Sequence, residues 1–202
     1  MSKDLNTRER ILDAAAKMFA SKGFDGSSVR DICKVADASS NSVNHYFDSK
    51  EKLLEEIFDQ YDSRIFSTPL KIIETKVKNK AEFEMIFKIF FSETLRLMLE
   101  NSCLVAVVLK ENNRCCMMTK MQQYHASVVS FIERGQELGF VHKDLKAAMI
   151  SGTLMDRLFV QVAFKGKIRD FSKMDIEDPE YQEEWIDQSV KFFLHGLISQ
   201  RD

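Results

Sequence analysis

The sequence predicts an all-α chain, and three observations carry that expectation. Its 202 residues include only two prolines and seven glycines, too few to punctuate the turns of a sheet. No Ser/Gly-rich or Pro-rich tract interrupts it, so no flexible linker is expected. Apolar residues make up 45% of the chain, enough for a core, and they recur at intervals of three and four rather than two.

The elements follow in order. Asn6 with Glu9 gives a capping-box-like start, and Ile11, Leu12, Ala15, Ala16 and Phe19 form an apolar stripe, so helix 1 is expected over about residues 7–22. Gly23 suits a left-handed stop, with Phe24 folding back onto the helix. Ser27 or Ser28 caps a short helix 2 of about residues 28–36, whose apolar face is Val29, Ile32, Cys33 and Val35 or Ala36. Asp37-Ala38-Ser39 has the length of a tight turn, and Ser39 is the expected N-cap of helix 3, about residues 40–46. Asp48 or Ser49 then caps helix 4, which carries Leu53, Leu54, Ile57, Phe58 and Tyr61.

Two short helices joined by such a turn and packed on a longer one make a helix-turn-helix, whose second short helix can enter a DNA major groove. On helix 3, Val43 and Phe47 face inward, leaving Ser40, Asn41, Ser42, Asn44, His45 and Tyr46 for the outer face. Amides, hydroxyls and an imidazole can bond base edges and phosphate oxygens. Ser and Asn also favour helix ends for local reasons, so a plain cap-and-turn role is the competing explanation. Arg30 and Lys50 would flank helix 3 near the starts of helices 2 and 4, where exposed backbone amides also attract anions.

The stretch GFDGSSVRDICKVADASSNSVNHYFDSKEKLL resembles the DNA-binding domain of tetracycline-repressor-type (TetR) transcriptional regulators, with the match dense over residues 7–54. The resemblance implies a three-helix helix-turn-helix domain over residues 1–48 and a helical effector-binding and dimerisation domain over 49–202, about nine helices in all. It also implies that Arg30, Ser40, Asn41, Ser42, Asn44, His45, Tyr46 and Lys50 meet double-stranded DNA, Tyr46 and Lys50 largely at phosphates, with Ser39 counted beside them as the expected cap. The sequence departs from the family pattern at Asp37 and Asn41, where glycine or a small residue is common, and at Asn44, where tyrosine is common. Asp and Asn tolerate the left-handed conformation. Asn44 exchanges an aromatic for an amide suited to an adenine edge, and a different operator preference is expected.

Beyond helix 4, whose periodicity runs to Phe66, Pro69 marks a kink or restart. Phe83 to Met98 define a helix of about residues 80–100, 103–109 a short buried segment, and Met117–Leu138 another long helix closed by the glycines of GQELGFVHKD. Asp144 is the expected cap of a helix over about 145–165, GKIRDFSKMDIEDPEY the expected long loop, and about 180–199 the last helix. On that helix Ile186, Val190, Phe193 and Leu197 are spaced four, three, four, a packing seam. Small residues upstream (Ala147, Ala148, Ser151, Gly152), followed by Leu154 and Leu158, allow close helix approach. Such patterns also describe an ordinary intramolecular core. The resemblance implies instead a homodimer formed by the last two long helices, with Ala148, Ser151, Leu154, Leu158, Trp185, Ile186, Val190, Phe193 and Leu197 at the interface and a near-palindromic operator. It further implies a small-molecule effector, lipophilic or aromatic, in a pocket for which Phe66, Phe87, Phe90, Arg96, Met121, Tyr124, His125 and Met155 are candidates, with Asp156 and Arg157 as further polar groups.

Other classes find less support. Residues 1–52 hold nine Lys/Arg and eight Asp/Glu, a net of +1, and the remainder nets −3, so charge alone does not announce nucleic acid. Charges at positions 3, 4, 8, 9, 10, 13 and 17 exclude a signal-peptide apolar region, and no apolar run approaches a membrane span, so a cytoplasmic protein without a membrane partner is expected. Cys33, Cys103, Cys115 and Cys116 form no CxxC pair and predict reduced structural thiols. Neither a di-iron Glu-x-x-His pair, a P-loop nor a supported Ser/His/Asp set is present, so no enzyme, cofactor, metal or catalytic residue is expected. The reading from another class is an all-helical interaction or ligand-carrier protein without a defined operator.

Overall fold

The computed structural model describes the backbone of residues 2–111 and 115–197 and the side chains of 7–111 and 121–194. Helices α1 (Ser2–Lys22), α2 (Val29–Val35), α3 (Ser42–Phe47) and α4 (Lys50–Tyr61) are followed by a π-turn, Asp62–Phe66, and then by α5 (Ser67–Ile73). The rest are α6 (Lys80–Glu100), α7 (Ser102–Lys110), α8 (Cys115–Glu137), α9 (Ala147–Ala163), α10 (Lys165–Ser172) and α11 (Pro179–Leu197), with no strand among the described residues. The chain divides into two compact units: residues 1–63 with 101–118, and residues 64–100 with 119–202.

In the first unit α1 is the central element, packed by α2, α4 and α7, and its stripe of Ile11, Leu12, Ala15 and Phe19 is buried as expected. The helix begins at Ser2 rather than about residue 7, which puts Asn6 inside it and not at a cap. It stops at Gly23 (φ +77°), and Phe24 returns to Phe19 with ring centroids 5.4 Å apart. Helix α7 joins this unit through buried Leu104, Val105, Val107 and Val108.

In the second unit α6 is the hub for α5, α9 and α11. The break after α4 comes at 62–66, ahead of Pro69. The proline ring would strike the carbonyl four residues back, at Ile65, and a widened turn relieves that contact while Pro69 sits in the first turn of α5. Helix α8 ends in a Schellman-type turn: Gly139 has φ +76° and the Phe140 N–H donates to the Gly135 carbonyl at 2.8 Å. Two expectations fail here. Asp144 caps nothing, because α9 starts at Ala147 with Lys146 in the cap position. The expected long loop holds α10, an eight-residue helix that buries no residue, so eleven α-helical segments stand among the described residues where about nine were expected.

Candidate nucleic-acid interface

Local chemistry builds the α2–α3–α4 corner. Of the two possible caps for α2 it is Ser28 that serves: its Oγ accepts from the Asp31 N–H at 3.1 Å and donates to the Asp31 carboxylate at 2.7 Å. Ser27 is buried and donates to the Gly23 carbonyl at 2.7 Å. After α2, Ala36 is buried and Val35 is 61% exposed, which settles the face that the sequence left open. Asp37 takes φ +49°, the conformation a glycine would have supplied, and Arg10 donates to its carbonyl at 3.1 Å. Asn41 does not follow: its φ is −93° and it stands at the N-cap of α3, where its side chain makes no capping bond. Helix α3 therefore begins at Ser42, two residues later than expected, and Ser39 is a turn residue whose Oγ lies 2.9 Å from Ser42 Oγ.

That exchange corrects one site residue. Ser42 is buried with Val43 and Phe47, so it belongs to the inner face and to the turn instead of the outer face. Arg30, Ser39, Ser40, Asn41, Asn44 and His45 are exposed, and Tyr46 and Lys50 are half-buried. The His45 and Tyr46 rings meet edge-on at 4.7 Å. The Arg8 guanidinium lies over the Phe47 ring, 4.9 Å from its centre, and Arg8 also pairs with Glu56 at 3.2 Å.

The corner between α3 and α4 is very tight. Asp48 has φ +66°, and the Ser49 N–H donates to the Phe47 carbonyl at 2.7 Å, a γ-type turn. Ser49 Oγ then accepts from the Lys52 N–H at 3.1 Å, which makes Ser49 the cap of α4. Lys50 starts that helix, with its ammonium 4.0 Å from the centre of the Phe24 ring. An outer face of Asn41, Asn44 and His45 is thus presented at a helix pinned by the buried side chains of Ser42, Val43 and Phe47 and bordered by a lysine at a helix N-terminus. Its chemistry matches bases in a groove and phosphates beside it.

Residues 11–57 match the family described as bacterial regulatory proteins, tetR family. Over that stretch, which runs from α1 into α4, the chain is similar to the tetR family. The HTH-type transcriptional repressor KstR2 of Rhodococcus jostii (strain RHA1) is 34% identical over 79 residues, 39% of this chain and 39% of that protein. The chain thus spans about two fifths of the length of that relative. The HTH-type transcriptional regulator UidR of Escherichia coli (strain K12) is 26% identical over 200 residues, 96% of this chain and 93% of that one. The solved structure of the ketosteroid transcriptional regulator KstR2 of Mycobacterium tuberculosis superposes with a TM-score of 0.75 at 21% identity, over 96% of this chain and 95% of that one. These whole-length likenesses show the TetR fold.

The other expected sites divide. Phe66, Phe90 and Tyr124 come together in the second unit, with Tyr124 centroids 4.0 Å from Phe66 and 6.3 Å from Phe90. The Tyr124 hydroxyl is buried beside Thr94 and makes no hydrogen bond of good geometry. Burial pushes its phenol well above the usual range, and the Thr94 hydroxyl offsets part of that shift. Met155 is buried, Met121 half-buried, and His125 Nδ1 lies 2.9 Å from Ser151 Oγ. Phe87 turns instead to Phe91 and Phe193, 6.3 and 6.1 Å away. Arg96 is on the surface, paired with Glu93 at 2.6 Å and Glu100 at 2.5 Å. Asp156 is exposed, and Arg157 lies over the Trp185 ring at 4.8 Å and donates to Ser189 at 2.9 Å.

The expected interface needs the larger correction. Ser151, Leu154, Leu158, Trp185, Val190 and Phe193 are buried in their own unit, Trp185 and Phe193 against Phe91 at 5.7 and 6.1 Å. A seam spaced four and three marks a buried face without saying which chain covers it. Ala148 is exposed, Ile186 is half-buried, and the Leu197 side chain lies outside the described residues, as do those of Cys115 and Cys116. The surface that α9 and α11 leave open is another one, with Met149 68%, Val160 51% and Phe192 69% exposed. Met149, Ile150 and Thr153 with Phe192 and Phe193 line a groove of about 460 Å³ there. The sequence reading also missed Lys110 and Glu111, whose side chains reach the α1–α2 corner.

Proposed function

We propose that this chain is a one-component transcriptional regulator: a cytoplasmic homodimeric repressor that reads a near-palindromic operator in double-stranded DNA and releases it when a small lipophilic effector binds. The observation that carries this is the partition of α3 and the two residues before it. Val43 and Phe47 are buried while Ser40, Asn41, Asn44 and His45 stand in solvent, and Lys50 and Arg30 border them. A polar helix face of this kind, without Glu or Lys, suits base edges better than bulk water. The working division is residues 1–48 for DNA and 49–202 for effector and partner.

In the second unit the aromatic cluster of Phe66, Phe90 and Tyr124 supports an effector with a ring or acyl body and one hydrogen-bond acceptor, which would satisfy the buried phenol. The description of a relative as a ketosteroid regulator agrees with that class. Exposed Met149, Val160 and Phe192 support self-association across a two-fold axis, which would place two α3 helices on two half-sites. Release requires effector and operator to favour different conformations. Nothing in this function calls for catalysis, and no single described helix is long and apolar enough to cross a membrane.

The test is selection of duplexes from a random DNA pool by the purified protein. The expected outcome is an inverted repeat whose affinity falls steeply with salt, because phosphate neutralisation releases counterions. Failure to enrich any sequence would leave the family's fold without the family's function.

A further inference from the structure

Helix α7 is the least expected member of the first unit. The chain leaves the second unit after Glu100, forms α7 in the first, and returns at Thr119. The chain thus enters α7 directly from the second unit, and the helix packs its apolar face on α1 and α4. At its C-terminal end two consecutive charged residues reach the α1–α2 corner. Lys110 Nζ donates to the Ala20 and Ser21 carbonyls at 3.0 and 2.6 Å, two acceptors in the last turn of α1 that its own helix leaves open. A cation there also complements the negative end of the helix. Glu111 Oε1 accepts from the Phe24 N–H at 2.8 Å, and a Cβ on Gly23 would stand 3.4 Å from that oxygen. The carboxylate thus lies against the one peptide where α1 turns out of its helix. Phe24 in turn carries the ammonium of Lys50 above its ring at 4.0 Å.

These contacts form a single line: α7 end, Glu111 carboxylate, Phe24 backbone, Phe24 ring, Lys50. We infer that Glu111 and Lys110 are positioning residues for DNA recognition, fixing the α1–α2 corner so that Phe24 presents Lys50 to a phosphate. This rests on the proposed DNA-reading function. It adds α7, which the chain enters directly from the second unit, to the elements that hold the reading head in place.

The experiment is a double-mutant cycle on a duplex that the wild type has enriched from a random pool. Glu111→Ala is expected to weaken binding about tenfold, as loss of a charge-assisted hydrogen bond that orients a charged group. It should lower the salt slope by about 1, as if the Lys50 contact had been removed. Glu111→Gln, which keeps an acceptor oxygen in place, should stay within about threefold of wild type. In a Lys50→Ala background Glu111→Ala should add less than about twofold, since the two act through one contact. Multiplying losses, or an unchanged salt slope, would overturn the assignment, because a merely structural carboxylate acts independently of Lys50. If Glu111→Ala does not unfold cooperatively, Lys110→Gln, at an exposed position, enters the same cycle and is read by the same two outcomes. A wild type that enriches no duplex removes the DNA-reading function itself, and the positioning role with it.

Discussion

The α2–α3–α4 corner and the aromatic cluster around Tyr124 handle polar groups in opposite ways. At the corner, hydroxyls and amides that lie near the backbone are either consumed in caps, as in Ser28 and Ser49, or left in solvent, as in Asn44 and His45. Around Tyr124 a phenol is buried beside Phe66 and Phe90 with no good partner. The first arrangement is complete without a ligand, since water satisfies the exposed amides. The second carries a buried, unbonded hydroxyl, at a cost of about 1–3 kcal/mol. On the proposed function, a surface for a large partner stays solvated until that partner arrives, whereas a pocket for a small one carries its unsatisfied group in the closed state.

The largest break in this comparison is at the anchor of α3. Phe47→Ala should destabilise the chain by about 3–5 kcal/mol, because a six-residue helix has little stability of its own and Phe47 is 5% exposed. Chemical denaturation should show it directly. The lost DNA affinity should be recovered by low temperature to the extent that folding is. Asn44→Ala should separate the two roles. Asn44 is exposed, so the unfolding midpoint should not move, while discrimination at one base pair of the operator should drop by about 1–3 kcal/mol. A base-substitution scan in which wild type and variant show the same profile would remove Asn44 from the reading face.

How much of this was legible follows from where each signal resides. Gly23, Ser28, Asp37 and Ser49 each act within four residues of themselves, and each announced its turn or cap in the sequence. Ser42 misled because the helix starts two residues later than Ser39 suggested, and at a helix start two residues change the face. A surface role for Arg96 was legible, since Glu93 and Glu100, three and four residues away, supply its partners. The α9 and α11 seam announced burial, but periodicity carries no information on which chain does the covering. The contact from Glu111 to Phe24 bridges 87 residues, and no local pattern encodes it. α10 escaped because a helix that buries nothing leaves no apolar stripe to find.

A sharper test of the closed cluster is Tyr124→Phe. Removing a buried hydroxyl without a good partner should raise stability by about 1 kcal/mol, read as a higher unfolding midpoint. A lower midpoint would mean that the Thr94 hydroxyl, which also donates to the Phe90 carbonyl at 2.7 Å, satisfies the phenol. The cluster would then be as complete as the corner.

The smallest expected effect lies at the corner itself. Asp48 holds φ +66° between α3 and α4, a conformation that disfavours any residue with a Cβ by about 1 kcal/mol. Its backbone is nevertheless tied on both sides: its own N–H donates to the Asn44 carbonyl at 3.2 Å, and the next N–H closes the γ-turn. Glycine would adopt the conformation freely but would gain freedom in the unfolded chain, and these two changes oppose each other. Asp48→Gly should therefore stabilise by no more than about 0.5–1 kcal/mol. Because Asp48 also brings a negative charge beside the proposed phosphate contact at Lys50, the same substitution should tighten DNA binding more than it raises the unfolding midpoint. Equal changes in the two would place the whole effect in the turn. An excess in affinity, disappearing at high salt, would assign the remainder to charge at the DNA-facing surface.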